Sequence, residues 1–227
     1  MYLALFSGPN HSMNQKREMF KVFKVELRLN QGQKRFQYLN SCVLLYQAAF
    51  KGNWKEAKAP LDLYPHMVRD PITEGGDTAL HIAAATNHPN FVRELLKLMK
   101  KEELEIKNKY GQTALYLAAA SGNVIIAEEM VEKNNKLTLT HIESGKRKFT
   151  PLHIAALLGH REMVSFLFAE TSFEYLSPEE RIELLVATIS NDLFGMSHLS
   201  MIVSLSQLIY NAIASFDVLR EILIGHE

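Results

Sequence analysis

The sequence predicts an all-α solenoid, a stack of helix–turn–helix units, because one short pattern recurs at a nearly constant period. Its four copies are Leu45-Tyr46-Gln47-Ala48-Ala49, Leu80-His81-Ile82-Ala83-Ala84, Leu115-Tyr116-Leu117-Ala118-Ala119 and Leu152-His153-Ile154-Ala155-Ala156. The first alanine of each copy falls at positions 48, 83, 118 and 155, so the steps are 35, 35 and 37 residues. Such a period is typical of arrays in which each unit needs its neighbours to bury its apolar face.

Composition narrows the range of possible functions. The chain has 227 residues, of which 47% are hydrophobic and 22% charged, as in soluble globular proteins. Lys plus Arg equals Asp plus Glu at 25 each, so no net charge favours nucleic acid, and no nucleic-acid partner is expected. Cys42 is the single cysteine, which excludes an intramolecular disulfide and any zinc site with two thiolates. One thiol and an N-terminus without a secretory pattern predict a cytoplasmic protein.

Capping residues and helix breakers define each unit. Thr78, Thr113 and Thr150 are expected to cap the first helices, which the paired alanines keep thin. Turns at 87–88, 122–123 and 159–160 then lead into second helices with an apolar i, i+3, i+4 stripe.

The two outermost units are less regular. In the first copy Val43 replaces the capping threonine, and Pro60 is expected to end the second helix near Ala59. After the fourth copy, Ser177-Pro178-Glu179-Glu180 predicts a capping box that opens a degenerate fifth repeat.

The run Thr150-Pro151-Leu152-His153-Ile154-Ala155, with the turn Gly159-His160 after it, resembles the ankyrin-repeat family. The resemblance implies an all-α ankyrin-repeat solenoid with short β-hairpin-like fingers, and a partner protein bound on its concave face. The repeats are assigned to residues 41–192, divided as 41–70, 71–106, 107–144, 145–176 and the degenerate 177–192.

Three segments are similar to one plant subset of that family. They are Tyr46 to Trp54, Gly75 to Ala83 and Leu184 to Ile189, which resemble ankyrin proteins of the accelerated-cell-death type. This resemblance implies a role in plant signalling or in stress and defence. Those proteins usually carry a C-terminal membrane domain named for a Pro-Gly-Gly motif, which does not occur here. A truncated isoform or gene model is therefore expected, in which the sequence after Asp192 differs from the usual continuation of the family.

The two ends of the chain lie outside the repeats. Residues 1–40 are basic and are expected to form a loosely ordered N-terminal arm. Residues 193–227 are expected to form apolar C-terminal helices, and 193–216 contains no Asp, Glu, Lys or Arg over 24 residues. Two interpretations stay open: the segment covers the end of the stack, or it is membrane-proximal. The second leads to the alternative function of a signalling protein held at the cytosolic face of a membrane.

The residues that could act as metal ligands or catalytic groups are expected to have structural roles instead. His81 and His153 recur at one repeat position, where Tyr116 stands in the third repeat, so they are expected to bond backbone groups of neighbouring repeats. Cys42 and Trp54 are expected to be packing or cap residues rather than a nucleophile and a platform for a ligand. The motifs of phosphate loops, serine hydrolases and zinc proteases do not occur, so no enzyme activity, cofactor or metal is predicted.

The ankyrin resemblance maps a partner-binding surface onto the finger tips and the exposed side of the inner helices, which together form one concave face. It comprises Glu74, Asp77, Thr86, Lys109, Tyr110, Gln112, Ser121, Lys146, Arg147, Phe149, Leu157 and Leu158. Tyr110 and Phe149 are the predicted anchors, because a rigid aromatic ring supplies contact area at low entropic cost. The alternative for each ring is packing on the adjacent finger. The sequence identifies neither the partner nor the oligomeric state.

Overall fold

The computed structural model describes residues 32–144 and 147–191. The chain divides into two compact units after Tyr110. The N-terminal arm expected over 1–40 lies largely outside the described residues, as does the C-terminal segment expected over 193–227.

The first unit contains two helix pairs. The helices are α1 (Gly32–Lys51), α2 (Trp54–Leu63), α3 (Ala79–Ala85) and α4 (Pro89–Leu98), with 3-10 helices at Pro65–Val68 and Lys101–Glu105. Helix α1 packs against both α2 and α3. The paired alanines Ala48-Ala49 and Ala83-Ala84 are fully buried, which lets the helices approach closely.

The second unit repeats this arrangement and adds a hairpin. Its elements are α5 (Ala114–Ser121), α6 (Val124–Lys133), β1 (Ile142–Ser144), β2 (Arg147–Phe149), α7 (Pro151–Leu157), α8 (Arg161–Glu170) and α9 (Pro178–Ser190), with 3-10 helices at Asn135–Leu139 and Phe173–Tyr175. Helix α7 packs against α5, α8 and α9. The two strands pair antiparallel, with Ile142 opposite Phe149.

The second helix of each repeat keeps a fixed offset from the alanine pair. Helices α2, α4, α6 and α8 begin six residues after the first alanine of the preceding helix and end fifteen residues after it. The residues nine and twelve positions after that alanine are buried in all four repeats: Ala57 and Pro60, Val92 and Leu95, Ala127 and Met130, Val164 and Leu167. The apolar stripe of the second helices therefore faces the core at a constant register.

Local chemistry explains where the helices begin and end. The Thr113 Oγ1 accepts a hydrogen bond from the Tyr116 N–H at 3.3 Å, and the Asn123 Oδ1 accepts one from the Ile126 N–H at 3.0 Å. Gly122 ends α5 in the left-handed region at φ 74°, which glycine adopts without strain. At the fifth repeat, the Ser177 N–H donates to a Glu180 carboxylate oxygen at 2.7 Å, and the Glu180 N–H donates to the Ser177 hydroxyl at 3.3 Å. The predicted capping box is confirmed.

The first repeat differs from expectation in two ways. Helix α1 begins at Gly32 and runs through Val43, so this position lies inside a helix and needs no capping hydroxyl. Residues 32–40, which the sequence assigned to the arm, thus belong to α1. The expected end of α2 near Ala59 is wrong, because the helix continues through Pro60 to Leu63.

The cost of Pro60 is limited by its position. A proline removes one hydrogen bond to the carbonyl four residues earlier, here that of Glu56, an exposed residue. Burial of Ala57, Pro60 and Leu61 offsets the rest. The predicted fold class, all-α repeats with a short β-hairpin finger, is confirmed.

Candidate partner-binding surface

In the first unit, Asp77 stabilises the first finger, the loop of residues 72–77 that precedes α3. One carboxylate oxygen accepts a hydrogen bond from the Thr73 hydroxyl at 2.9 Å, and the other accepts one from the Asn108 side-chain amide at 2.8 Å. The Ile72 N–H donates to the Asp77 carbonyl at 2.8 Å, which closes the turn. Both carboxylate oxygens of this predicted contact residue therefore bond within the chain.

The next finger, around residues 108–110, is hydrogen-bonded to the first through backbone groups. The Lys109 N–H donates to the Gly75 carbonyl at 2.8 Å, and the Tyr110 N–H donates to the Asn108 Oδ1 at 3.0 Å. A Cβ on Gly75 would lie 3.3 Å from Cε2 of the Tyr110 ring, so the ring rests against this glycine. The exposed fraction of Tyr110 is nevertheless 51%. Gly75-Gly76 lies in a turn of the first finger, where the Gly76 N–H donates to the Thr73 carbonyl at 3.1 Å.

The remaining predicted residues of this unit differ in how they are held. Glu74 and Lys109 are exposed. Thr86 is half-buried, and its hydroxyl donates to the Ile82 carbonyl at 2.7 Å at the end of α3. Glu74, Lys109 and Tyr110 thus present side chains to solvent, whereas Asp77 and Thr86 stabilise the backbone that carries them.

In the second unit, Phe149 packs on its own repeat. Its ring is half-buried and meets the His153 ring edge-on, with centroids 6.2 Å apart and an interplanar angle of 86°. The backbone of Arg147 lies in β2, opposite Ser144, and Lys146 lies outside the described residues.

The ends of the first helices in this unit are apolar at α7 and polar at α5. Leu157 and Leu158 are both exposed where α7 ends. Gln112 is half-buried ahead of α5, and the Ser121 hydroxyl at its end donates to the Ala118 carbonyl at 3.0 Å. The exposed leucine pair is the clearest apolar feature among the predicted positions of this unit.

His153 has a structural role. Its Nε2 lies 2.7 Å from the Glu180 carbonyl, which can only accept, so Nε2 carries a proton. Its Nδ1 then accepts from the Thr150 N–H at 3.3 Å and lies 2.8 Å from the Thr150 hydroxyl. Burial lowers the pKa of His153, although the bond to the Glu180 carbonyl and the nearby carboxylates oppose this shift. The imidazole is therefore held neutral, and its expected bond to a neighbouring repeat is confirmed.

His81 makes the same local contacts in the first unit. Its Nδ1 accepts from the Thr78 N–H at 3.3 Å and lies 2.8 Å from the Thr78 hydroxyl. Residues 32–144 and 147–191 contain no group of three or more His, Cys, Asp or Glu side chains placed to hold a metal ion.

A second inter-repeat contact was missed by sequence reasoning. The Nε2 of His88 lies 2.9 Å from the Phe50 carbonyl, and the Nε2 of His160 lies 3.0 Å from the Ala120 carbonyl. The Asn191 side-chain amide donates to the Ala156 carbonyl at 3.0 Å. Each side chain, at the turn after a first helix, bonds the end of the first helix in the preceding repeat. The recurring Gly-His and Asn-His pairs were the available signal, but they were interpreted only as turns.

An aromatic cluster beside α1 was also missed. The Tyr38 hydroxyl donates to Asp70 at 2.7 Å, its ring stacks on His66 at 5.8 Å, and Tyr64 meets it edge-on at 5.2 Å. Rings this close pack directly on one another. No repeat motif contains Tyr38 and Asp70, which lie 32 residues apart.

Cys42 and Trp54 are packing residues, as expected. Cys42 is buried, and burial raises the pKa of its thiol to about 11, so the thiol stays protonated at neutral pH. The Trp54 ring meets Phe91 edge-on with centroids 5.3 Å apart.

Among residues 32–144 and 147–191, none of the helices has the length and apolar character that crossing a bilayer requires. The uncharged stretch 193–216 lies beyond these residues.

Comparison with known proteins identifies the repeats. The family described as "Ankyrin repeats (3 copies)" matches residues 45–141 and 95–177. The chain is 32% identical over 126 residues to "Probable E3 ubiquitin-protein ligase XBOS32" of Oryza sativa subsp. japonica, covering 56% of this chain and 24% of that protein. It is 34% identical over 97 residues to "Ankyrin repeat and KH domain-containing protein mask-1" of Caenorhabditis elegans, covering 43% of this chain and 4% of that protein. It is 36% identical over 69 residues to "Ankyrin repeat-containing protein ITN1" of Arabidopsis thaliana, covering 30% of this chain and 12% of that protein.

The chain therefore spans at most about a quarter of the length of these relatives. The region they share with it is a stretch of repeats, and the relatives include plant ankyrin-repeat proteins.

Proposed function

Because the chain belongs to the ankyrin-repeat family, whose repeats are protein–protein interaction modules, we propose that it binds a partner protein through finger tips and first-helix ends. The contact side chains are Glu74, Lys109 and Tyr110 in the first unit, and Phe149 with the exposed leucines of α7 in the second. Lys146 and Arg147, which precede Phe149 by three and two residues, are included among the proposed contact residues.

The observation that carries this proposal is the exposure of a tyrosine on a finger whose backbone is fixed. The hydrogen bonds from the Lys109 and Tyr110 N–H groups hold the main chain, while 51% of Tyr110 stays exposed. A ring presented in this way loses little conformational freedom on binding, and such residues dominate binding energies at interfaces. Exposed Leu157 and Leu158 add apolar area in the second unit.

Three of the other predicted residues are proposed to support the surface rather than contact the partner. Asp77, Thr86 and Ser121 direct their polar groups to atoms of the chain itself. Their replacement is expected to disturb the fingers and helix ends before it removes any contact with a partner.

We further propose that the protein is not an enzyme and acts in the cytoplasm, in plant signalling or in stress and defence. The plant relatives support the setting. The match to the ligase XBOS32 covers only 24% of that protein, so its ligase activity is not assigned to this chain.

The test is affinity capture with the full-length chain from plant extract, with quantitative mass spectrometry of the captured proteins. Tyr110→Ala, combined with Phe149→Ala, is expected to lower the yield of the specific partner at least about tenfold, the effect of losing one good anchor. Tyr175→Ala is the matched control, because Tyr175 is 74% exposed but lies on a 3-10 helix outside the proposed surface. Equal capture by the double variant and the control would contradict the proposal.

The alternative function, attachment at the cytosolic face of a membrane, is supported by the uncharged segment 193–216 alone. Extraction of membranes with alkaline carbonate separates the two: a protein recovered in the soluble fraction contradicts insertion.

A further inference from the structure

Helix α9 has one face packed on the array and one face exposed. Leu184, Ala187 and Thr188 are buried, and α9 packs against α7. Ile182 and Val186, one helical turn apart, are 43% and 56% exposed.

The equivalent positions one repeat earlier are less exposed. Aligning Ala187 with Ala155 places Ile182 at the position of Thr150 and Val186 at that of Ile154. Thr150 is 1% exposed and Ile154 is half-buried in the repeat that precedes α9. The exposed pair on α9 therefore marks the face on which a further element stacks.

The constant offset of the second helices predicts a helix C-terminal to α9. Six and fifteen residues after Ala187 are Leu193 and Ile202, the bounds that the same offset predicts for a second helix of the fifth repeat. Its two core positions, nine and twelve residues after Ala187, are Met196 and Leu199, both apolar as in the four complete repeats.

The rest of the uncharged segment has the length and pattern to cover Ile182 and Val186. Residues 203–216, if helical, extend about 21 Å, similar to the 13-residue helix α9. Leu205, Leu208 and Ala212 fall on one side at helical spacing.

We propose that residues 193–216 cap this array: 193–202 is the second helix of the fifth repeat, and 203–216 covers Ile182 and Val186. The occupant of the exposed face is thus a segment of the same chain. This inference concerns the end of the array and is independent of the partner-binding surface.

The test measures thiol reactivity in the full-length protein. The Val186→Cys variant carries one new thiol, while Cys42 is buried and, with its raised pKa, reacts slowly. Ile125→Cys is the matched control, because Ile125 is 52% exposed on α6. An aromatic disulfide reagent is expected to modify the Val186→Cys thiol at least about tenfold more slowly than the control thiol, since a covered thiol reacts only after local opening.

Two neighbouring substitutions then identify the covering segment. Adding Leu205→Asp to Val186→Cys is expected to restore the control rate, whereas adding Ser206→Asp, on the other side of the segment, is expected to leave the protection intact. Circular dichroism verifies folding, and Ile182→Cys serves as a second probe if Val186→Cys does not fold.

Three results would overturn the proposal. The first is equal rates for the Val186→Cys and Ile125→Cys thiols. The second is protection that grows with protein concentration, which assigns the face to a second copy. The third is protection that requires vesicles of anionic phospholipid, which assigns the segment to a membrane.

Discussion

The contact between Gly122 and His160 offers a quantitative test of how neighbouring repeats are joined. A Cβ added to Gly122 would lie 2.7 Å from the His160 Nδ1 and 3.0 Å from its Cε1 and Cγ, so the ring must move. Gly122 also has φ 74°, where an alanine is strained. Gly159 provides the matched control, since it has the same φ of 74° but its added Cβ would meet only ordinary contacts, 3.8 and 3.9 Å from Asn191 atoms.

The expected magnitudes come from these two effects. The left-handed conformation costs an alanine roughly 1–2 kcal/mol, which is the whole expected effect of Gly159→Ala. Displacing His160 also breaks its bond to the Ala120 carbonyl, worth about 0.5–1.5 kcal/mol at a partly buried site. Gly122→Ala is therefore expected to lower the free energy of unfolding by about 1.5–3.5 kcal/mol.

The assay is urea denaturation monitored by circular dichroism, completed as a double-mutant cycle. In a His160→Ala background the ring is gone, so Gly122→Ala should cost only the backbone term of about 1–2 kcal/mol. Equal losses for Gly122→Ala and Gly159→Ala, or strict additivity of Gly122→Ala with His160→Ala, would refute the assigned contact.

Hydrogen bonds of His153 and Asp77 give two further predictions. His153→Tyr, which installs the residue found at this position in the third repeat, is expected to flatten the pH dependence of the unfolding free energy. Burial lowers the folded-state pKa of His153, so below about pH 6.5 the unfolded chain takes up a proton that the folded chain does not, and the wild type loses stability as the pH falls. Denaturation curves between pH 7.5 and about pH 5 test this, and parallel profiles for the two proteins would contradict it. Asp77→Ala is expected to lower the unfolding free energy by about 1–3 kcal/mol, because its two hydrogen bonds are lost. Glu74→Ala, at an exposed position of the same finger, should change it by less than about 0.5 kcal/mol, and equal effects would show that Asp77 does not hold the finger.

The repeat architecture could be predicted because its signals are local. Alanine pairs, capping threonines and turn glycines act within one or two helical turns, so their recurrence at 48, 83, 118 and 155 was sufficient to place the helices. The prediction at Pro60 was wrong because propensity alone neglected burial: Ala57 and Leu61 hold the same helix in the core. The early start of α1 was missed because residues 32–40 contain no repeat motif.

For the predicted binding residues, too, the sequence determined the position in the repeat but not the contacts of the side chain. Their positions on fingers and helix ends could be read from the motif, but their separation into exposed and engaged side chains could not. Asp77 and Glu74 are both acidic and three residues apart, yet Asp77 bonds Asn108, 31 residues further along the chain, and Glu74 faces solvent.

The sequence by itself determined that this chain is built from paired helices at a regular period, because helix caps and turns depend on residues a few positions apart. Only the tertiary structure decided which atoms join one repeat to the next. The His88 bond to Phe50 and the His160 bond to Ala120 connect residues 38 and 40 positions apart, and their partners are backbone carbonyls, which carry no residue-specific signal.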